Sequence, residues 1–99
     1  MIRGTTPTHT FDTSISLVDA EVVWVTYRQG DIKLVKEKDD CEITDETLTT
    51  RLTQEETLMF KPVGYKAKVQ IRARFPDETA VASNISEISV LPILKDGVI

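Results

Sequence analysis

The segment from residue 65 to residue 75 (YKAKVQIRARF) most constrains the fold, because apolar and polar side chains alternate along its whole length. Successive side chains of a β-strand point to opposite faces, so this alternation places one row in a core and the other in solvent. A helix would spread the same lysines and arginines around its whole circumference. The segment therefore predicts a strand with one inward row: Tyr65, Ala67, Val69, Ile71, Ala73 and Phe75.

The chain before this strand predicts three others. Residues 21–29 (EVVWVTYRQ) are apolar on both faces, which is typical of a central strand. Gly30 and Asp31 favour a tight hairpin turn, since glycine tolerates the positive φ that such turns need. Residues 32–37 then return as the next strand, with Ile32 and Leu34 inward, and residues 48–52 alternate in the same way.

The remaining segments complete a two-layer arrangement. Thr53 and Glu56 have the spacing of a capping box, which predicts one helical turn crossing from one sheet to the other. Residues 8–12 suit a short edge strand. Residues 80–91 predict a last long strand, in which Val81 and Ile85 share one phase and Ile88 and Val90 the other; such a slip indicates a β-bulge, expected near Ser86 and Glu87.

These elements predict an all-β fold, an antiparallel two-sheet sandwich of the immunoglobulin-like type with six or seven strands and one short helical turn. At 99 residues the chain is expected to be a single domain over residues 1–99, with residues 1–7 flexible and residues 92–99 forming a tail. Hydrophobic residues make up 40% of the chain, which is enough for a core.

Charge and composition exclude several function classes. The net charge is −4, from 12 basic and 16 acidic residues, which argues against a general nucleic-acid binder. No apolar run is long enough for a transmembrane helix, and residues 1–12 lack the apolar stretch of a secretion signal. The single cysteine, Cys41, cannot form an internal disulfide, so a reducing compartment such as the cytoplasm is expected.

No residues combine into a predicted catalytic, cofactor-binding or metal site. His9 is the only histidine, and a solvated side chain is expected there, on a segment that is either mobile or at a sheet edge. Cys41 lies between Asp40 and Glu42, whose carboxylates disfavour a thiolate and raise the thiol pKa. The acidic stretch of residues 37–46 lacks the spacing and the glycine of a calcium loop, so a solvated loop is expected, with a cation site as the alternative.

Two surfaces are candidates for binding a partner. The first is a basic stripe on the wet face of the long strand, formed by Lys66, Lys68, Arg72 and Arg74. It is expected either to dock an acidic surface or to pair with cross-strand neighbours such as Glu87. No aromatic residue lies between these cations in the sequence, and a buried Trp24 is expected. The second is the apolar C-terminal segment, which closes the sandwich or packs on another subunit: Ile93, Leu94, Val98 and Ile99.

Four stretches carry a resemblance to known proteins: residues 6–11 (TPTHTF), 24–30 (WVTYRQG), 52–57 (LTQEET) and 69–74 (VQIRAR). In these the chain resembles the small β-sandwich proteins encoded among the structural genes of tailed phages and prophages. It is similar, more distantly, to the N-terminal domain of phage baseplate upper proteins.

The resemblance implies a structural or assembly role without catalysis, with other virion subunits or a second copy of the chain as partners, in a possible homo-oligomer. The protein would be cytoplasmic during assembly and then part of the virion. It would bind neither nucleic acid nor a membrane, and it would need no cofactor. The alternative function is a β-sandwich module that binds a ligand or a glycan.

Overall fold

The computed structural model describes residues 1–99, which form two antiparallel β-sheets packed face to face. The strands are β1 (Thr8–Asp12), β2 (Val22–Gln29), β3 (Ile32–Glu37), β4 (Cys41–Ile43), β5 (Thr47–Arg51), β6 (Ala67–Arg74), β7 (Ala80–Ala82) and β8 (Ser86–Ile88). A 3-10 turn (Lys38–Asp40) joins β3 to β4, and the helix α1 (Gln54–Leu58) joins β5 to β6. One sheet has the order β1-β5-β4; the other has the order β3-β2-β6, with β7 and β8 both paired to β6. The predicted all-β, two-sheet sandwich is confirmed.

The alternating segment forms β6, whose inward row of Ala67, Val69, Ile71 and Ala73 is buried. The strand is shorter than predicted. Tyr65 lies before its first residue and is exposed, which corrects the expected inward position, and Phe75 is half-buried after its last. The residues between α1 and β6 form a loop. The alternation in the sequence therefore starts two residues before β6, whose first hydrogen-bonded residue is Ala67.

Strand β2 is central, as its two apolar faces predict, because it pairs with β3 on one side and β6 on the other. Gly30 has a φ of 58°, and the hairpin pairs Gln29 with Ile32 across a two-residue turn. The inward row of β2 includes Tyr27, which packs edge-on against Phe60 with ring centroids 6.5 Å apart. Each large apolar side chain buried in this way stabilises the fold by about 1.5–3 kcal/mol.

Helix α1 has the predicted capping box. The hydroxyl of Thr53 accepts from the Glu56 amide at 3.1 Å, and the Thr53 amide donates to Glu56 Oε1 at 2.8 Å. The same carboxylate accepts from Nζ of Lys36, the one buried lysine, at 2.8 and 3.0 Å. Glu56 therefore ties the crossover helix to edge strand β3 of the larger sheet.

The structure has eight strands rather than six or seven, for two reasons. Strand β4 was not predicted, because three residues in an acidic stretch carry no periodic signal. The expected strand over residues 80–91 is interrupted at residues 83–85, where Ser83 exchanges hydrogen bonds with Ile71 through its backbone and its hydroxyl. Val81 pairs with Ala73 and Ile88 with Ala67, so a one-residue slip is present, but at residues 83–85 and not at Ser86 and Glu87.

Residues 1–7 were expected to be flexible, but the first three have specific partners. Ile2 forms a parallel bridge with Leu91, and the Leu91 amide donates to the carbonyl of Met1 at 2.9 Å. The buried guanidinium of Arg3 donates to the carbonyl of Phe60 at 2.7 Å and to that of Leu58 at 3.1 Å. The two termini therefore meet beside α1.

Candidate interaction surface

The outer face of the larger sheet brings together side chains that are far apart in the sequence. The ladders place Trp24 between Glu37 of β3 and Arg72 of β6. The next row holds Val35, Thr26 and Gln70. We call this outer surface of β2, β3 and β6 the basic face, after the five exposed cations that it carries: Arg28, Lys33, Lys68, Arg72 and Arg74.

The cations of the basic face are only partly neutralised. Arg74 forms an exposed ion pair with Glu21 at 3.3 Å, which contributes little because solvent screens it. Glu87 lies opposite Lys68, as expected from the sequence, but no ion pair forms between them. Arg28 and Lys33 face each other across the hairpin without a carboxylate. Glu37 also lies exposed on this face, so its five cations are set against the three carboxylates of Glu21, Glu37 and Glu87, and the face keeps a positive surplus of two charges on a chain of net charge −4.

Trp24 lies at the centre of the basic face and is 43% exposed, which corrects the expected burial. Both phases of β2 are apolar in sequence, and only one of them can face the core; Val23, Val25 and Tyr27 take that position. The guanidinium carbon of Arg72 lies 5.8 Å from the centre of the indole ring, a cation–π arrangement. An aromatic ring therefore does lie among the cations, on the neighbouring strand.

Arg28 and Lys33 belong to the basic face and could have been assigned to it from the sequence, whereas Lys66 was predicted to belong to it and lies outside. Gly30 sets a two-residue turn, and that register alone pairs Arg28 with Lys33 on the wet face. Lys66 is exposed but lies before β6, outside the ladder.

The C-terminal segment is held to the rest of the domain by polar contacts, but several of its apolar side chains are exposed. The Ile99 amide donates to Oε1 of Gln54 at 2.9 Å, and Arg3 pairs with Asp96 at 2.8 Å. Leu94, Val98 and Ile99 nevertheless point into solvent, so these three do not close the sandwich. The four apolar residues predicted to contact a partner therefore behave differently. Ile93 is half-buried close to Gly4, and Leu94, Val98 and Ile99 remain free for a partner.

His9 is half-buried and not solvated, which corrects the sequence interpretation, whereas its position on the edge strand β1 agrees with one of the two expected alternatives. It lies on the inward phase of β1, and its Nδ1 is hydrogen-bonded to the Tyr27 hydroxyl at 2.7 Å. The two rings lie 5.6 Å apart. Burial, with a smaller effect of the chain's amino terminus, lowers the pKa of His9, and burial raises the pKa of Tyr27. The pair connects the two sheets and offers neither group to a substrate.

Cys41 lies half-buried on β4, where its Sγ donates to the Glu37 carbonyl at 3.3 Å. Burial is the main cause that raises the pKa of its thiol, and the neighbouring Asp40 adds to it. The direction agrees with the prediction, although the leading cause is desolvation. The carboxylates of residues 37–46 are spread over the end of β3, the 3-10 turn, β4 and the turn after it, and no group of three or more His, Cys, Asp or Glu side chains converges on one point.

A cleft of about 720 Å³ opens between β1 and the interrupted edge formed by β7 and β8. Its apolar wall includes Phe11, Leu17, Val69 and Ile71. Asp12 is the one titratable side chain that lines it, so the cleft holds no pair of groups for acid–base chemistry.

No family model, curated protein or solved structure matches this chain. The resemblance to phage structural proteins therefore depends on the four stretches quoted above. The one α-helix has five residues, so no helix reaches the length and apolar character of a membrane crossing.

Proposed function

We propose that the chain is a non-enzymatic assembly protein of tailed-phage particles, which acts by docking its basic face on an acidic protein surface. The observation that carries the proposal is the exposed Trp24 at the centre of that face, with Arg72 stacked over it. Tryptophan and arginine are enriched in the residues that dominate binding energy at protein–protein interfaces.

The arrangement around Trp24 has the anatomy of a docking site. Val35 is exposed in the adjacent row, beside the neutral side chains of Thr26 and Gln70. Arg72 lies beside this centre, and Arg28, Lys33, Lys68 and Arg74 lie further out on the same face, although Glu37 flanks Trp24 on β3; the cations suit a rim that steers an acidic partner into place. The exposed Leu94, Val98 and Ile99 would form a second, apolar contact at the end of the sandwich.

A non-catalytic role is supported by the positions of the titratable groups. His9 is held by Tyr27 inside the sandwich, and the burial of Cys41 works against a reactive thiolate. The phage context is supported by the sequence resemblance, which also suggests a place in the virion after assembly in the cytoplasm.

The proposal is tested with the purified products of the genes adjacent to the one encoding this chain. Trp24 is the only tryptophan, so its emission reports contact at the basic face directly. We expect a blue shift of the wild-type emission with one of these proteins. Isothermal titration calorimetry, which does not need the indole, should show a loss of affinity of about 30-fold or more in Trp24→Ala and in Arg72→Ala, as for interface hot spots of about 2 kcal/mol. Lys95→Ala, which removes an exposed cation outside the face, is the matched control.

The proposal fails if the adjacent genes encode no head, tail or baseplate proteins, or if Trp24→Ala binds them as tightly as the wild type. The exposed indole also favours the glycan-binding alternative, because sugars stack on such rings. A glycan-array signal that disappears in Trp24→Ala would replace the assembly proposal with that one.

A further inference from the structure

The outer face of the smaller sheet carries the opposite charge to the basic face. Asp12 and Glu42 point outward from β1 and β4, and Asp45 and Glu46 lie exposed in the turn between β4 and β5. The Thr13 amide donates to the Glu46 carbonyl at 2.8 Å, which brings Asp12 and Glu46 to the same end of the sheet. We call this surface, with its four carboxylates, the acidic face.

The hydroxyl of Ser16 donates to Asp45 Oδ1 at 3.1 Å, but no cation forms an ion pair with any of these four carboxylates. The one strand cation of the acidic face, Arg51, pairs with Thr8 at the end of the sheet away from Asp12. The other outward positions hold short threonine side chains, and Thr10 and Thr49 are hydrogen-bonded to each other at 3.0 Å. No long side chain therefore protrudes between the carboxylates, and long side chains of a partner can reach them.

We infer that the acidic face of one copy of this chain binds the basic face of a second copy. The charges are complementary, and protruding Trp and Arg side chains would meet a low threonine surface. The inference rests on the proposed function, to which it adds a second copy of the chain as one partner of the basic face. Because the two faces lie on opposite sides of the sandwich, each bound copy keeps one face free, and repetition builds a ring or an open stack.

The size of the smaller sheet limits the strength of this contact. The strands lie about 4.8 Å apart and rise about 3.4 Å per residue; β1 and β5 have five residues each and β4 has three, which gives a projected area of roughly 210 Å². A standard interface covers about 800 Å² on each partner. We therefore expect a weak, reversible contact whose affinity depends strongly on salt.

The first test is sedimentation velocity on the full chain over a concentration series. At an ionic strength of about 0.01 M the Debye length is about 30 Å, and at about 1 M it is about 3 Å. We expect the mass to rise past that of a dimer with concentration at low salt, and to return to that of a monomer at high salt. A monomer at every concentration and both salt levels would overturn the inference.

Two double variants then test which faces meet. Lys68→Glu with Arg72→Glu reverses the basic face, and Asp12→Asn with Glu42→Gln neutralises the acidic face. Each alone should associate at least tenfold more weakly than the wild type. Mixed, they should form a one-to-one dimer that does not grow, since only one matching pair of faces remains.

Lys61→Glu with Lys95→Glu is the matched control, because it changes the net charge by the same amount as the basic-face variant at exposed positions outside both faces. It should associate like the wild type, and circular dichroism should confirm that every variant folds. A mixture that stays monomeric, or a control that also dissociates, would refute the pairing of faces. Binding of an adjacent gene product through Trp24 would survive that result, so the two proposals can fail separately.

Discussion

The ion pair between Lys36 and Glu56 provides a quantitative test of how the crossover helix α1 is held against the larger sheet. Glu56→Gln keeps the size of the side chain but removes the charge that Lys36 contacts at 2.8 and 3.0 Å. The two side chains are only 10% and 20% exposed. The substitution therefore leaves a largely buried ammonium group without a counter-charge.

The expected cost follows from that stranded charge. Breaking a buried pair by removing one partner destabilises a protein by about 3–5 kcal/mol. Because the Glu56 side chain is 20% exposed to solvent, we expect about 2–3 kcal/mol for Glu56→Gln, at or below the lower end of that range. For a domain of this size, this corresponds to a Tm lower by about 10–20 °C.

Urea unfolding of the wild type and variants measures this difference. Glu55→Gln is the matched control, since it makes the same change at an exposed position one residue earlier in α1, and it should cost less than about 0.5 kcal/mol. Lys36→Met removes the buried cation and keeps the capping carboxylate, so adding Glu56→Gln to it should cost much less than Glu56→Gln alone. Equal costs in the two backgrounds, or a Glu56→Gln variant as stable as Glu55→Gln, would refute the reasoning.

The same carboxylate predicts a pH dependence. Burial alone would raise the pKa of Glu56, but hydrogen bonds from Lys36 and from Thr53 outweigh it and lower this pKa below its ordinary value of 4.5. A depressed pKa in the folded state contributes stability above the unfolded value, and this stability is lost as the pH falls through the folded value. The wild type should therefore lose its advantage over Glu56→Gln below about pH 4.5.

Three further predictions concern single positions. Gly30→Ala should destabilise the hairpin by about 1–2 kcal/mol, because its φ of 58° is left-handed, whereas Gly64→Ala, with open space around it, should be nearly neutral in the same unfolding assay. The His9 resonances should titrate with a midpoint below 6.5, and since protonation then favours the unfolded chain, acidification from pH 7 to about pH 5 should destabilise the wild type more than His9→Gln; an NMR midpoint above 6.5 would contradict this. Cys41 should react with a thiol reagent at neutral pH more slowly in the folded than in the unfolded chain, because burial raises its pKa, and equal rates would contradict that burial.

The strands, turn and helix cap that depend on local geometry could be predicted from the sequence. The alternation in β6, the Gly30 turn and the Thr53–Glu56 capping box each depend on residues within a few positions of one another. Even the one-residue slip between Val81 and Ile88 could be read from their opposite phases. Its location could not, because it depends on the side chain of Ser83 bonding to Ile71 on another strand.

Only part of the surface on which the function is proposed could be predicted from the sequence. The cations of β6 follow from its alternation, but the exposure of Trp24 does not, because both phases of β2 are apolar and packing selects the inward one. Likewise, only the ladder between β2 and β6 brings Arg72 over the indole ring. The partners of His9 and Lys36 were hidden for the same reason, since Tyr27 and Glu56 lie on other elements.

The sequence by itself thus determined the longer strands, the Gly30 turn and which row of β6 enters the core, since these depend on side-chain alternation and on short-range backbone constraints. Only the tertiary structure decided which apolar face of β2 is covered and which charges share a surface. Those outcomes depend on strand order and register, which join residues that are distant along the chain.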